Sequence, residues 1–160
     1  MNTSREYYMS QALALAEEAA AAGEIPVGCV IVDAAGAIIG RGRNRREERR
    51  DATAHAEVEA IREACAAKND WRLAGCTLYV TLEPCPMCAG AIWNARVPVI
   101  VYGAREEKSG SLGSVIDLFA ENYGFRPRVY GGILREECAA PMRRFFETMR
   151  DTKKYYAAAE

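Results

Sequence analysis

Two short segments of this chain gather the side chains able to do chemistry: Thr53-Ala54-His55-Ala56-Glu57 and Leu82-Glu83-Pro84-Cys85-Pro86-Met87-Cys88. The chain has 160 residues, six cysteines and a single histidine. One imidazole excludes a three-histidine zinc site and a His-x-x-x-His protease helix. A mixed site remains possible. Cys85 and Cys88, three apart on a predicted helical turn, point the same way and can share one ion, and the helix N-terminus favours thiolate over thiol. His55 supplies a third ligand. Three protein ligands leave one tetrahedral position for water, as in a catalytic zinc site with one Zn2+ per subunit. Glu57, two residues after His55, can reach a zinc-activated water without ligating the ion. It can take the water's proton and return it to a leaving group.

Two other chemistries share parts of this pattern. A thiol–disulfide exchanger also sets Cys-x-x-Cys at a helix N-terminus after a strand, but it gives His55 and Glu57 no role. A structural zinc site needs a fourth ligand, for which Cys76 or Cys65 are available. Cys76 lies at the far end of its strand from Cys85, which disfavours closure. Cys29, Cys65, Cys76 and Cys138 read as small buried hydrophobes of the core.

These motifs need a scaffold, and the composition allows one. At 50% hydrophobic, 27% charged and net charge −1, the chain is neither disordered nor fibrous. Its length suits a core that holds without disulfides. No low-complexity linker or repeat divides it, so one domain over 1–160 is expected. No apolar signal core follows Met1-Asn2-Thr3-Ser4, and no apolar run approaches the ~18 residues of a membrane span. A cytoplasmic protein with reduced thiols and no membrane partner is expected.

The elements follow from periodicity and punctuation. Thr3 and Glu6 have capping-box spacing, Tyr8, Ala12, Leu15, Ala19 and Ala22 recur at helical intervals, and Gly23 is a stop. Strands at 27–32 and 37–40 flank a turn at 33–36 as a hairpin. A polar loop spans 44–52. Thr53 is placed to cap a helix on which Val58, Ile61, Ala64 and Cys65 share a face. A strand at 77–82, a helix at 85–96, a strand at 97–102, a short helix at 115–120, a strand at 128–130 and a long final helix follow. Pro141 should kink that helix or mark its start. Strands alternating with helices predict an α/β three-layer sandwich, a central mixed sheet flanked by helices. Both chemical segments fall at helix starts, and the second directly follows a strand, where ligands of open sheets bind.

His-x-Glu followed by Pro-Cys-x-x-Cys is the signature of zinc nucleobase deaminases. At these residues the chain resembles the bacterial tRNA adenosine deaminases of the cytidine-deaminase superfamily. The resemblance covers nearly the whole chain, through Ile25-Pro26-Val27-Gly28, Asn44-Arg45, the two segments above, Arg72-Leu73, Tyr102-Gly103-Ala104, the 110–114 loop and Glu136-Glu137-Cys138. It implies a five-stranded cytidine-deaminase-like sheet and hydrolysis of adenosine to inosine at the tRNA wobble position. It implies His55, Cys85 and Cys88 on zinc, Glu57 as proton shuttle, Asn44 contacting base or ribose, and the Ala56 backbone N–H offered to the base. It also implies a homodimer that binds a tRNA anticodon stem-loop. On the residues alone, Asn44 also fits a turn position after a strand. A free nucleobase or nucleoside deaminase (guanine or cytosine) shares the scaffold, and an inactive zinc-binding dimerisation or RNA-binding module is the non-enzyme alternative.

Charge bears on the partner. Net −1 gives no global attraction to RNA. Arg41, Arg43, Arg45, Arg46, Arg49 and Arg50 crowd the loop before the zinc helix, and Arg143, Arg144, Arg150, Lys153 and Lys154 load the final helix. Both clusters suit phosphates flanking an extruded base, and equally a solvated surface. Two departures from the family pattern touch regions that meet RNA: the 123–128 stretch has no histidine, and Glu106 stands where aspartate is common.

Overall fold

The computed structural model describes residues 4–152, with side chains to residue 150. Helix α1 (Arg5–Ala21) precedes strands β1 (Gly28–Val32) and β2 (Ile38–Arg43), a short helix α2 (Arg46–Arg49) and helix α3 (Ala56–Lys68). Strand β3 (Thr77–Leu82), helix α4 (Pro86–Asn94), strands β4 (Val99–Ala104) and β5 (Arg128–Gly131), and helix α5 (Arg135–Thr152) complete it. The strands form one mixed sheet in the order β2-β1-β3-β4-β5. β1 runs antiparallel to β2 and β3, while β3, β4 and β5 are parallel. The predicted sandwich with a five-stranded mixed sheet is the observed fold.

Strand alternation divides the core in two. Cys29, Ile31, Leu78, Val80 and Ile100 pack with α3 and α4 on one face. Val30, Val32, Tyr79 and Val101 pack with α1 and Cys138 of α5 on the other. Three of the four remaining cysteines, Cys29, Cys76 and Cys138, are buried as expected, while Cys65 is half-buried and its thiol donates to the Trp71 carbonyl at 3.4 Å. All six thiols are free. No described helix is long and apolar enough to cross a membrane.

Local chemistry corrects several expectations. The Ser4 hydroxyl caps α1 by accepting from the Tyr7 N–H at 3.1 Å, and Thr3 lies outside the described residues. Met9 and Ala16 join Tyr8, Ala12 and Ala19 on the buried stripe in place of Leu15 and Ala22. β2 extends to Arg43 although Arg41-Gly42-Arg43 breaks the apolar run, because an edge strand needs pairing on one side only. α2 lies inside the expected loop at 44–52. It is held by a carboxylate distant in sequence: Glu24, 2% exposed, accepts from the N–H groups of Glu47 at 3.2 Å and Glu48 at 2.8 Å. β4 is shifted two residues toward the C-terminus of its expected span. The short helix near 115–120 contracts to a 3₁₀ turn, Leu118–Ala120, which Asp117 caps. α5 starts at Arg135, so Pro141 sits inside it rather than at its start.

His55, not Thr53, is the N-cap of α3. The buried face of α3 is Ala56, Glu57, Ala60 and Ala64, with Val58, Ile61 and Cys65 only half-buried. The cause is the closeness of β2. A Cβ on Gly42 would stand 2.1 Å from the Ala56 carbonyl oxygen and 2.7 Å from the Ala60 nitrogen. At that separation only small side chains fit between helix and strand. Gly42→Ala is therefore expected to lose about 1–3 kcal/mol of stability through overpacking. The loss should appear as a lower urea midpoint at unchanged slope. A midpoint equal to the parent's would show that α3 can retreat without cost.

Candidate zinc centre and active site

Two helix N-termini converge at the carboxyl end of β3. Cys85 is the N-cap of α4, Pro86 opens it, and Cys88 is its third residue. Proline suits this place, since its missing N–H is one the helix could not use. His55 caps α3 in the same region, and Glu57 is the second helical residue. The partial positive ends of both helices thus face one point, which favours anionic groups there.

The His55 Nδ1 atom lies 3.7 Å from Cys85 Sγ and 3.4 Å from Cys88 Sγ. The three ligand atoms lie within 4.8 Å of one another, the one such cluster of three among the described residues. Tetrahedral zinc, at ~2.3 Å from sulfur and ~2.0–2.1 Å from nitrogen, sets two such ligands roughly 3.6 Å apart. The donor set and its spacing therefore fit zinc. Neither Cys65 nor Cys76 belongs to the cluster. Cys76 precedes the six-residue β3 that Cys85 follows, roughly 20 Å of extended chain.

Protons are shared unequally among the three side chains. Hydrogen bonding from Cys88, and then from His55, pulls the Cys85 thiol down to about 4 against the opposing effect of burial. Cys88 is pushed far up, because its proton is held by Cys85 and the residue is buried. The Cys85 contact raises His55. Glu57 is 4% exposed, and burial pushes its carboxyl up from the ordinary glutamate value. An acid–base group for neutral pH needs a shift in that direction.

A cleft opens over these groups. Ile25, Val27, Leu82, Met142 and Phe146 give it apolar walls, and Asn44, Arg46, Glu106 and Ser109 line its polar parts. Asn44 is 6% exposed, and its side-chain oxygen accepts from the Arg46 N–H at 3.0 Å. That bond is the turn contact expected of an asparagine after a strand, and it leaves the NH2 group as the donor for a ligand. Ala56 lines the cleft as the first residue of α3, where the helix offers its N–H no carbonyl. Of the clustered arginines, Arg43 and Arg45 pair with Glu48, and Arg49 pairs with Glu59. Arg46 reaches the cleft. On α5, Arg143 pairs with Glu136 and Arg144 with Glu17, while Lys153 and Lys154 lie outside the described residues. Glu106 lines the cleft, whereas Arg126 and Arg128 line a separate groove.

Motif spacing alone did not single out Glu83, Met142 or Phe146. Met142 and Phe146 are four apart on α5 and so share a helix face, but the same interval describes core packing. Glu83 stands beside the cysteine motif, and its partners are distant in sequence.

The family model for the cytidine and deoxycytidylate deaminase zinc-binding region matches residues 2–104. The chain belongs to this deaminase family. Among curated proteins, the chain is 45% identical to the tRNA-specific adenosine deaminase of Bacillus subtilis over 153 residues, covering 95% of this chain and 94% of that one. It is 51% identical over 142 residues to the tRNA(Ile)-lysidine synthase of Deinococcus radiodurans, covering 89% of this chain. The chain spans only 24% of that relative's length, and 27% of the Deinococcus deserti counterpart. Among solved structures, it matches a tRNA A34 deaminase that edits A to I at the wobble position, with a TM-score of 0.81 and 43% identity over 84% of this chain and 98% of the other.

Proposed function

We propose that the chain is a zinc-dependent hydrolase that deaminates adenosine to inosine at the wobble position of a tRNA. The observation that carries the reading is the buried Glu57 carboxyl beside the His55, Cys85 and Cys88 cluster, at the floor of a cleft with apolar walls. The likeness to the Bacillus subtilis enzyme and the A34 deaminase supplies the substrate class.

When bound by His55, Cys85 and Cys88, zinc supplies the Lewis acidity that makes water a nucleophile near neutral pH. Glu57 accepts a proton from the attacking water and delivers it to the purine as the amino group leaves, so that adenosine and water give inosine and ammonia. The Asn44 NH2 group and the Ala56 N–H donate to the base or ribose and fix its orientation. Ile25, Val27, Leu82, Met142 and Phe146 exclude bulk water from an extruded base. The 1–160 region acts as one deaminase domain in the cytoplasm, as a homodimer that takes an anticodon stem-loop. The dimer rests on the family resemblance, and the compartment on the reduced thiols.

Purified, zinc-loaded protein is expected to form inosine from an anticodon stem-loop carrying a wobble adenosine, and not from free adenosine. Turnover of free guanine or cytosine without turnover of the stem-loop would transfer the assignment to a free-base deaminase.

A further inference from the structure

Part of the cleft wall belongs to the segment 105–114, a loop that must keep one shape to present Glu106 and Ser109. Few of its backbone groups pair within a regular element, so something else must hold it. Backbone bonds hold part of it, among them Gly110 N–H to the Glu106 carbonyl and Ser111 N–H to the Pro84 carbonyl, both at 2.9 Å, and a single buried carboxylate gathers four further donors. Glu83 directly follows β3 and is 2% exposed. One of its oxygens accepts from the Leu112 N–H at 3.0 Å and the Ser114 N–H at 3.1 Å, and the other from the Glu106 N–H at 3.3 Å and from the Ser114 hydroxyl. Arg105 donates to the same hydroxyl at 3.0 Å, so the charge reaches a guanidinium through one relay. The loop closes over the carboxylate because residue 110 is glycine: a Cβ there would stand 2.5 Å from the Glu83 oxygen.

A carboxylate with four donors from one loop and none from its own strand does more than fill a core. Two residues farther on, the same backbone carries Cys85, so Glu83, together with the Ser111 N–H bond to the Pro84 carbonyl at 2.9 Å, ties the metal-binding turn to this wall of the cleft. We propose that Glu83 is a positioning residue for substrate binding, acting through the 105–114 loop rather than by touching the reacting atoms. The inference rests on the deaminase reading for its substrate, and on the hydrogen bonds alone for the clamp.

Glu83→Gln tests it, because an amide replaces one acceptor oxygen with a donor that opposes the N–H groups it faces. The clamp is read by hydrogen exchange of the Leu112 and Ser114 amides in zinc-loaded protein. The expected result is exchange at least ten times faster than in the parent, with zinc retained at one per chain. The consequence is read by steady-state kinetics on whichever substrate the parent turns over, stem-loop or free base. KM is expected to rise about tenfold, by a larger factor than kcat falls. Unchanged exchange overturns the proposal, and so does faster exchange with unchanged KM, which would make the clamp structural only. Should Glu83→Gln fail to fold, Ser114→Ala removes one of the four donors and the relay to Arg105, keeps the backbone N–H and the carboxylate, and the same two shifts are expected at smaller size. A parent inert on every substrate sinks the proposed function, and the exchange measurement then decides the clamp by itself.

Discussion

Glu57→Gln is expected to lower kcat by about 10²–10⁴-fold, the usual contribution of a general acid–base group. That range corresponds to about 3–5 kcal/mol of lost transition-state stabilisation. Glutamine keeps the shape of the side chain and leaves His55, Cys85 and Cys88 intact, so zinc should remain at one per chain. What it lacks is a proton that can be taken and returned. Stability should move the other way. Burial raises the folded-state value of the Glu57 carboxyl above its unfolded value. The stability linked to this group is therefore full below the unfolded value, ~4.3 for a free glutamate, and is lost as pH rises through the folded value. Glutamine has no such loss. In metal-free protein at neutral pH, Glu57→Gln should melt above the parent. Parental turnover in the zinc-loaded variant would remove Glu57 from the mechanism.

The contrast between Glu57 and Glu83 shows what a sequence reveals and what it hides. Glu57 was legible because its role is local: it is two residues from the histidine, on the same helical turn. The cysteine pair was legible for the same reason, with three residues placing two thiols on one side of a helix start. The sheet was legible in outline because buried strands such as Thr77–Leu82 carry runs of apolar and β-branched residues free of charge. Long-range contacts were not. Glu83 reaches residues as far as 31 positions away, and Glu24 holds α2 across 23 positions. In sequence, both look like ordinary charged surface residues. The face of α3 was misjudged on similar grounds. Val58 and Ile61 are the bulkier hydrophobes, but the proximity of Gly40 and Gly42 on β2 admits only alanine there. Distance between backbones, which spacing cannot report, overrode side-chain size.

His55→Ala is expected to cost zinc and activity together. A four-ligand structural site binds zinc with about 10–16 kcal/mol, so one ligand is worth roughly 3–4 kcal/mol, or about 10²–10³-fold in Kd. No second histidine exists to take its place. Among the described residues no further cysteine or carboxylate joins the cluster as a ready substitute. Metal analysis after dialysis against a weak chelator reads the first effect, and inosine formation the second. A smaller substitution separates ligand loss from a damaged fold: His55→Gly leaves room for added imidazole, which should restore zinc and turnover in parallel. If either variant kept one zinc per chain without imidazole, the metal would lie elsewhere. If zinc returned with imidazole but turnover did not, His55 would serve the reaction in a way beyond ligation, through its position at the start of the helix that carries Glu57.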